Sequence, residues 1–158
     1  MTRPGFTLIE LIVVFGVLLT LFAVTSVNLL NSQRRSSQSS AISSLVADLK
    51  SQQTKAMSGD TEGRATTDHY GLYIQASSYT LFHGSGYSSS DSANVVINTN
   101  DNIQFSTTFP SSSLIFTKGS GEILNFVSGS NTISVIDPSG SPTKVIQFNK
   151  YGVIIQIN

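Results

Sequence analysis

The most unusual reactive group in the chain is the carboxylate of Glu10, which lies inside a long apolar run. The run extends over Phe6–Leu30, and Glu10 is its only charged residue. A carboxylate in a lipid-facing helix costs about 3 kcal/mol. Position alone supports two interpretations equally: a functional group whose charge a partner compensates, or a residue near enough to the helix end to reach polar headgroups.

Two histidines are the first candidates for a metal site. His69 and His83 flank a predicted β-hairpin. If its turn centres on Ser77-Ser78, Leu72 faces His83, and the two imidazoles do not lie opposite each other. We therefore expect surface or hairpin-edge packing for both histidines rather than metal binding.

Three aspartates, Asp91, Asp101 and Asp137, lie in polar segments of the kind that could bind calcium. None belongs to a loop with alternating oxygen ligands. We interpret them as solvated turn residues, and we predict neither a metal nor a cofactor.

Enzymatic chemistry has no clear support in the residues. The chain has no cysteine, which excludes a disulfide framework and a cysteine nucleophile. A nucleophile elbow, a P-loop and a dinucleotide-binding glycine pattern are also absent from the sequence. We therefore predict no catalytic residue, no small-molecule substrate and no enzyme.

Nucleic-acid binding is disfavoured by the charge distribution. The chain carries nine basic and nine acidic residues, and residues 51–158 have a net charge of −2. Their basic residues are scattered, whereas phosphate binding favours a basic cluster. Lys144 and Lys150, near the last predicted hairpin, are the only pair that suggests a DNA contact.

Helical signals extend well beyond the apolar run. Its 25 residues correspond to roughly 37 Å of helix, which is enough to cross a hydrocarbon core of about 30 Å. Further along, Ile42, Leu45, Val46 and Leu49 follow the i, i+3, i+4, i+7 spacing of an amphipathic helix. These signals predict one helix of about 50 residues that stops near Ser58-Gly59-Asp60.

The remainder of the chain alternates short β-prone runs with turn residues. A Ser-rich segment, Ser85–Asn94, is interpreted as a mobile loop. The predicted strands lie near Tyr70–Gln75, Tyr79–His83, Val95–Ile97, Ile103–Thr107, Leu114–Thr117, Ile123–Phe126, Thr132–Ile136, Lys144–Phe148 and Val153–Ile157.

The start of the chain resembles the processing site of type IV prepilins and pseudopilins. The matching features are a short leader with Arg3, then Gly5, Phe6, and Glu10 four residues after that Phe, opening a hydrophobic helix. The resemblance implies cleavage after Gly5 by a prepilin peptidase and methylation of the new amine of Phe6. It also implies that Glu10 pairs with the terminal amine of a neighbouring subunit during assembly.

A looser resemblance, to GspH/FimT-like minor pseudopilins, covers most of residues 69–158. It is carried by Tyr70-Gly71-Leu72-Tyr73, by Leu114-Ile115-Phe116 before Gly119, and by the closing hairpin around Gly152. The implied fold class is α+β and pilin-like: a long N-terminal helix, hydrophobic in its first half and amphipathic in its second, packed on an antiparallel β-rich head. The expected divisions are a leader at 1–5, a transmembrane and assembly half at 6–30, an amphipathic half at 31–58 and a head at 59–158.

The expected function is that of a minor pilin or pseudopilin in a type IV pilus or type II secretion filament. Its partners would be other pilins or pseudopilins, the prepilin peptidase and, before assembly, the inner membrane. The family implies a single-pass protein with its N-terminus in the cytoplasm and its head outside, which later enters an extracytoplasmic filament. The alternative is a DNA-binding minor pilin for natural transformation.

Overall fold

The computed structural model of the chain describes residues 5, 7–99, 102–138 and 141–158, without the side chains of residues 24–28, 30, 31 and 34. One helix, α1, runs over Leu8–Ser58 and precedes eight strands. The strands are β1 (Tyr70–Ile74), β2 (Ser78–His83), β3 (Val95–Asn98), β4 (Gln104–Thr107), β5 (Ser113–Phe116), β6 (Thr132–Ile136), β7 (Lys144–Phe148) and β8 (Ile154–Ile157).

Both ends of α1 are closed by local hydrogen bonds. At the N-terminus, Thr7 and Glu10 form a capping box, in which each side chain accepts from the other residue's backbone N–H. At the C-terminus, Gly59 adopts the left-handed conformation (φ 67°), and its N–H donates to the carbonyl of Lys55. Glycine reaches this conformation without a steric penalty, which explains why the helix ends at the predicted stop.

The predicted architecture of a long, half-apolar helix packed on a pilin-like head is contradicted. The described side chains of α1 fall into two main stretches, residues 8–23 and 35–58, and the strands form two antiparallel sheets. Every described side chain of the first stretch is exposed. The reason is that burial on the strands begins only at Gln38, the first buried residue among the described side chains of α1.

The predicted membrane span is contradicted as well. Within the described residues, no helix is both long and apolar enough to cross a membrane. This finding overturns the transmembrane half at 6–30 and the expected single-pass location in the inner membrane.

The eight strands form two four-stranded sheets. The first sheet has the order β3-β2-β1-β5 and the second β4-β6-β7-β8, and every neighbouring pair is antiparallel. In the first hairpin, Tyr70 lies opposite His83 and Ile74 opposite Tyr79. The predicted register, which placed Leu72 opposite His83, is therefore wrong by two residues.

Eight of the nine predicted strands coincide with observed ones to within about two residues at either end. The ninth, Ile123–Phe126, is wrong. Ile123 forms a single bridge with Phe116, and Asn125 then turns into the left-handed region (φ 52°). That conformation ends the extended backbone before a second pair can form.

α1 packs on β1, β5 and β6, and therefore contacts both sheets. Of the predicted apolar stripe, Leu45 and Leu49 are buried, and Ile42 and Val46 are partly buried, which confirms the stripe. The core of the head is completed by apolar side chains from the strands and loops, chiefly Tyr70, Leu72, Tyr79, Phe105, Leu114, Phe116, Ile133, Val135, Ile146 and Phe148.

Polar side chains of α1 also bind the strands and loops. The amide of Gln38 donates to the carbonyl oxygens of Val135 (3.2 Å) and Pro142 (3.0 Å). On β2, the hydroxyl of Tyr79 donates to a carboxylate oxygen of Asp48 on α1 at 2.6 Å. Burial, together with this carboxylate, raises the pKa of Tyr79. The folded protein therefore favours the protonated, neutral phenol of Tyr79.

Tyr79→Phe should destabilise the protein by about 1.5–3 kcal/mol at neutral pH, because Asp48 loses a charge-assisted hydrogen bond. Tyr151→Phe is a matched control at an exposed position, expected to change stability by less than about 0.5 kcal/mol. Urea denaturation measures both values.

The same contact predicts alkaline destabilisation. Because the folded pKa of Tyr79 exceeds the unfolded value of about 10, its contribution is intact below pH 10 and is lost as the pH rises beyond it. The parent should therefore lose stability above pH 10 more steeply than Tyr79→Phe. Parallel pH profiles would contradict the proposed role of this contact.

Candidate functional site

The most distinctive surface of the described chain is the apolar stretch Leu8–Ala23, called here the exposed apolar stretch. Thirteen of its 16 residues are hydrophobic, and none of its side chains is buried. The exposed fraction reaches 76% at Leu8 and 72% at Phe22. Exposed apolar patches on monomeric proteins rarely exceed a few hundred Å² and commonly mark interaction sites when they do.

Glu10 is the only charged residue of this stretch, and the fold gives it a local role. One oxygen, Oε2, accepts from the backbone N–H of Thr7 at 2.9 Å and from its hydroxyl at 2.8 Å. These two bonds, the backbone one first, lower the pKa of Glu10. The helix N-terminus also favours a negative charge. Glu10 is thus held as an exposed anion at the start of α1.

The other residues of the predicted processing site are only partly described. Gly5 is exposed. Arg3 and Phe6 lie outside the described residues. The structure therefore places Glu10 beside Thr7 but does not describe the predicted new N-terminus.

A cluster of titratable groups in the described part of the head surrounds His83. Its Nδ1 lies 3.2 Å from Asp68 Oδ2, and its Nε2 lies 3.0 Å from Asp91 Oδ2. A neutral imidazole has one N–H, so both ring nitrogens can donate only in the imidazolium form. We call this arrangement the His83 clamp.

The His83 clamp fastens the loop between β2 and β3. Within that loop, Asp91 Oδ1 also accepts from the N–H of Ala93, and the amide of Asn94 donates to the carbonyl of Ser88. The ring of Tyr87 stacks on Tyr73 of β1 at 4.0 Å between centroids. The segment 85–94, predicted to be a mobile loop, thus has several internal contacts, and Asp91, predicted to be a solvated turn residue, is partly exposed and contacts His83.

Asp68 completes the clamp from the segment before β1. Burial alone raises the pKa of this carboxyl, but hydrogen bonds from His83 and from the N–H of His69 outweigh it, so the pKa lies below its usual value. His69 itself faces away from the clamp, since its Nδ1 accepts from the N–H of Lys118.

Within the described residues, no group of three or more His, Cys, Asp or Glu residues could hold a metal ion.

Two further predicted residues have different fates. Asp137 directly follows β6 and is only 5% exposed, so the prediction of a solvated turn residue is wrong. The inward-facing residues of β6 alternate with outward-facing ones, and this alternation continues one residue past the last paired residue, Ile136. The side chain of Asp137 is therefore buried in the head. Asp101 lies outside the described residues.

The lysines suggested for DNA contact are not brought together. Lys144 begins β7, whereas Lys150 lies in the turn beyond its end at Phe148, so the length of the strand separates them. The Lys150 ammonium also lies 3.3 Å from a carboxylate oxygen of Glu122, which offsets its charge. This geometry does not create a basic patch.

Sequence reasoning missed the buried glutamines on α1. Gln38 and Gln52 are 4% and 3% exposed, and Gln53 donates to the carbonyls of Gly121 and Tyr151. A signal was present, since Gln38, Leu45 and Gln52 are spaced by seven residues and so share one helix face. A glutamine on a helix is easily interpreted as solvated from the sequence alone, because the backbone carbonyls that accept from it lie far along the chain.

Comparisons with known proteins add no relative: no family model, no curated protein and no solved structure matches this chain.

His83→Leu should loosen the β2–β3 loop, because Asp68 and Asp91 both lose their polar contact with the imidazole. A partly exposed ion pair contributes up to about 1 kcal/mol, so amide exchange at residues 85–94 should accelerate about fivefold. Hydrogen exchange read by mass spectrometry provides the measurement. His69→Leu is the matched control and should leave exchange in this loop unchanged; equal protection of parent and His83→Leu would disprove the clamp.

Proposed function

We propose that the chain is a structural subunit, a minor pilin or pseudopilin, of a type IV pilus or type II secretion filament. The observation that carries the proposal is the exposed apolar stretch. The side chains of its thirteen hydrophobic residues are all exposed, and burial of each large aliphatic side chain is worth about 1.5–3 kcal/mol. Lateral packing with other subunits would remove this apolar surface from water, and this favours assembly through the stretch.

The resemblance of residues 5–14 to a prepilin processing site supports the same proposal. Cleavage after Gly5 by a prepilin peptidase creates an amine at Phe6, close to Glu10 in sequence. An ammonium and a carboxylate that meet in a weakly polar interface attract strongly. The partners proposed are other pilins or pseudopilins and the peptidase.

The proposal includes no enzymatic activity, cofactor or small-molecule substrate. The alternative function, a DNA-binding minor pilin, gains no support from the geometry, since Lys144 and Lys150 lie at opposite ends of β7. We therefore do not favour it.

Processing is tested by the intact mass of the chain expressed with and without a prepilin peptidase. We expect loss of residues 1–5 only when the peptidase is present, leaving Phe6 at the N-terminus with or without one methyl group. Gly5→Leu, which adds a side chain at the cleavage position, should stay uncut and serves as the matched control. An uncut parent chain beside a competent peptidase would refute the assignment.

The role of Glu10 in assembly can be separated from its role as a helix cap. Glu10→Gln removes the charge but keeps a side chain that fits a capping box. Thr7→Val removes the hydroxyl of the cap and keeps the charge. If Glu10 pairs with an ammonium of a neighbour, Glu10→Gln should reduce incorporation into filaments about tenfold or more, whereas Thr7→Val should enter nearly normally.

Incorporation is measured by immunoblotting purified filaments against total processed chain. Equal losses in Glu10→Gln and Thr7→Val would assign Glu10 to capping alone. Normal incorporation of Glu10→Gln would remove the intersubunit charge pair from the proposal.

A further inference from the structure

A groove of about 450 Å³ lies on the outer face of the first sheet, the face turned away from α1. Tyr73, Ser113 and Ile115 form its floor. They alternate along β1 and β5 with the core residues Leu72 and Leu114, so they point to the opposite face. Its walls come from three loops, at residues 85–87, 109–111 and 124–125. We call it the tyrosine groove, and its volume is typical of a ligand pocket.

Two tyrosine rings give the groove its aromatic surface. Tyr87, from the β2–β3 loop, stacks on Tyr73 with 4.0 Å between the ring centroids and 5° between the ring planes. Both side chains are partly exposed, and neither hydroxyl has a hydrogen-bond partner within the described part of the chain. A tyrosine combines a rigid apolar ring with a polar tip, so it can contact both the apolar and the polar parts of a ligand.

The polar groups of the groove are neutral. They include the hydroxyls of Ser85, Ser111 and Ser113 and the amide of Asn125, and none of the described residues that line the groove is charged. Hydroxyl and amide groups can both donate and accept hydrogen bonds. A charged ligand would lose hydration here without gaining a counter-ion, which is unfavourable. The groove therefore suits a neutral ligand that carries hydroxyls of its own.

Strained backbone lies at two points of the wall. Ser111 and Asn125 both line the groove, and each has a φ of 52°. Residues other than glycine rarely adopt this conformation, and those that do are common where a ligand is held. At Asn125 the same conformation ends the strand that the sequence predicts at Ile123–Phe126. The departure from the predicted strand thus coincides with the groove.

A peptide added to the sheet as a further strand fits this groove poorly. Strand addition requires a sheet edge with unpaired N–H and C=O groups. On β5, the outer strand beside the groove, the carbonyl of Ile115 already accepts from the N–H of Leu124 at 2.8 Å. The next residue, Phe116, forms a bridge with Ile123. The groove instead offers aromatic rings and side-chain hydroxyls.

The wall that carries Tyr87 is ordered by its own contacts. The His83 clamp holds Asp91 of this loop at 3.0 Å, and the amide of Asn94 donates to the carbonyl of Ser88 at 2.7 Å. A wall that is already ordered loses little conformational entropy when a ligand binds.

We propose that the tyrosine groove binds a neutral saccharide. A sugar ring has C–H groups that pack on an aromatic ring and hydroxyls that both donate and accept, and the groove provides partners for both. Tyr73 and Tyr87 contact the ring, while Asn125 and the serine hydroxyls bind its edge. The site lies on the head, apart from the exposed apolar stretch, so the proposal does not depend on the filament function.

A glycan array tests the ligand class. The labelled full-length chain, kept in solution by a detergent without a sugar headgroup, is applied to neutral glycans of hexoses, deoxyhexoses and N-acetylhexosamines and to their sialylated and sulfated forms. We expect retention on at least one neutral glycan and a weaker signal on its acidic form, because no described basic residue lines the groove. Retention on acidic glycans alone, or on none, would overturn the proposal.

The groove is assigned by titrating the best-retained neutral glycan, free in solution, into the full-length chain in a calorimeter. Tyr87→Ala removes one aromatic ring of the groove and should weaken binding about tenfold or more. Tyr151→Ala is the matched control, because Tyr151 is 61% exposed in the β7–β8 turn and does not line the groove. Its affinity should equal that of the parent.

Asn125→Gly is a second test that leaves the aromatic rings in place. Glycine adopts a φ of 52° without strain, so the variant removes only the amide and should weaken binding about fivefold. Asn102→Gly is its matched control, since Asn102 is also exposed and left-handed (φ 60°) but does not line the groove. Unchanged affinity in both Tyr87→Ala and Asn125→Gly, or equal losses in the two controls, would overturn the site. Neither result bears on the tests of processing and assembly.

Discussion

The packing of the second stretch of α1 across both sheets is the constraint on which the head depends. The two sheets share no strand, and each alone has a face that must be covered. Leu45 and Leu49 supply the apolar part of that cover, while the Gln38 side chain donates to the carbonyl oxygens of Val135 on β6 and of Pro142. Leaving the buried amide of Gln38 without an acceptor would cost free energy, so these hydrogen bonds also hold α1 against the second sheet.

The parts of this fold that follow local periodicity could be predicted from the sequence. The 3.6-residue stripe around Leu45 and the glycine at residue 59 predicted the packed face of α1 and its end, and the alternation of apolar residues located eight strands. These features depend on neighbours within about one turn or one strand. The candidate site shares this property only in part, because Glu10 and its apolar surroundings are evident in the sequence, whereas its capping by Thr7 depends on where the helix begins.

Features that depend on distant residues could not be predicted in the same way. The register of the first hairpin differs by two residues because several adjoining turn residues compete for its centre, and nothing local decides among them. The His83 clamp joins Asp68 and Asp91 through a register that only the folded hairpin defines.

The contrast between the two ends of the molecule has a physical consequence for assembly. Several polar groups of the head are paired internally through Gln38, Gln53, Tyr79 and the His83 clamp. In the exposed apolar stretch, by contrast, every described side chain is exposed. In the proposed filament, packing of this stretch against other subunits would recover the free energy of its exposed apolar surface. The hydrogen bonds within the head would keep its shape the same from one contact to the next.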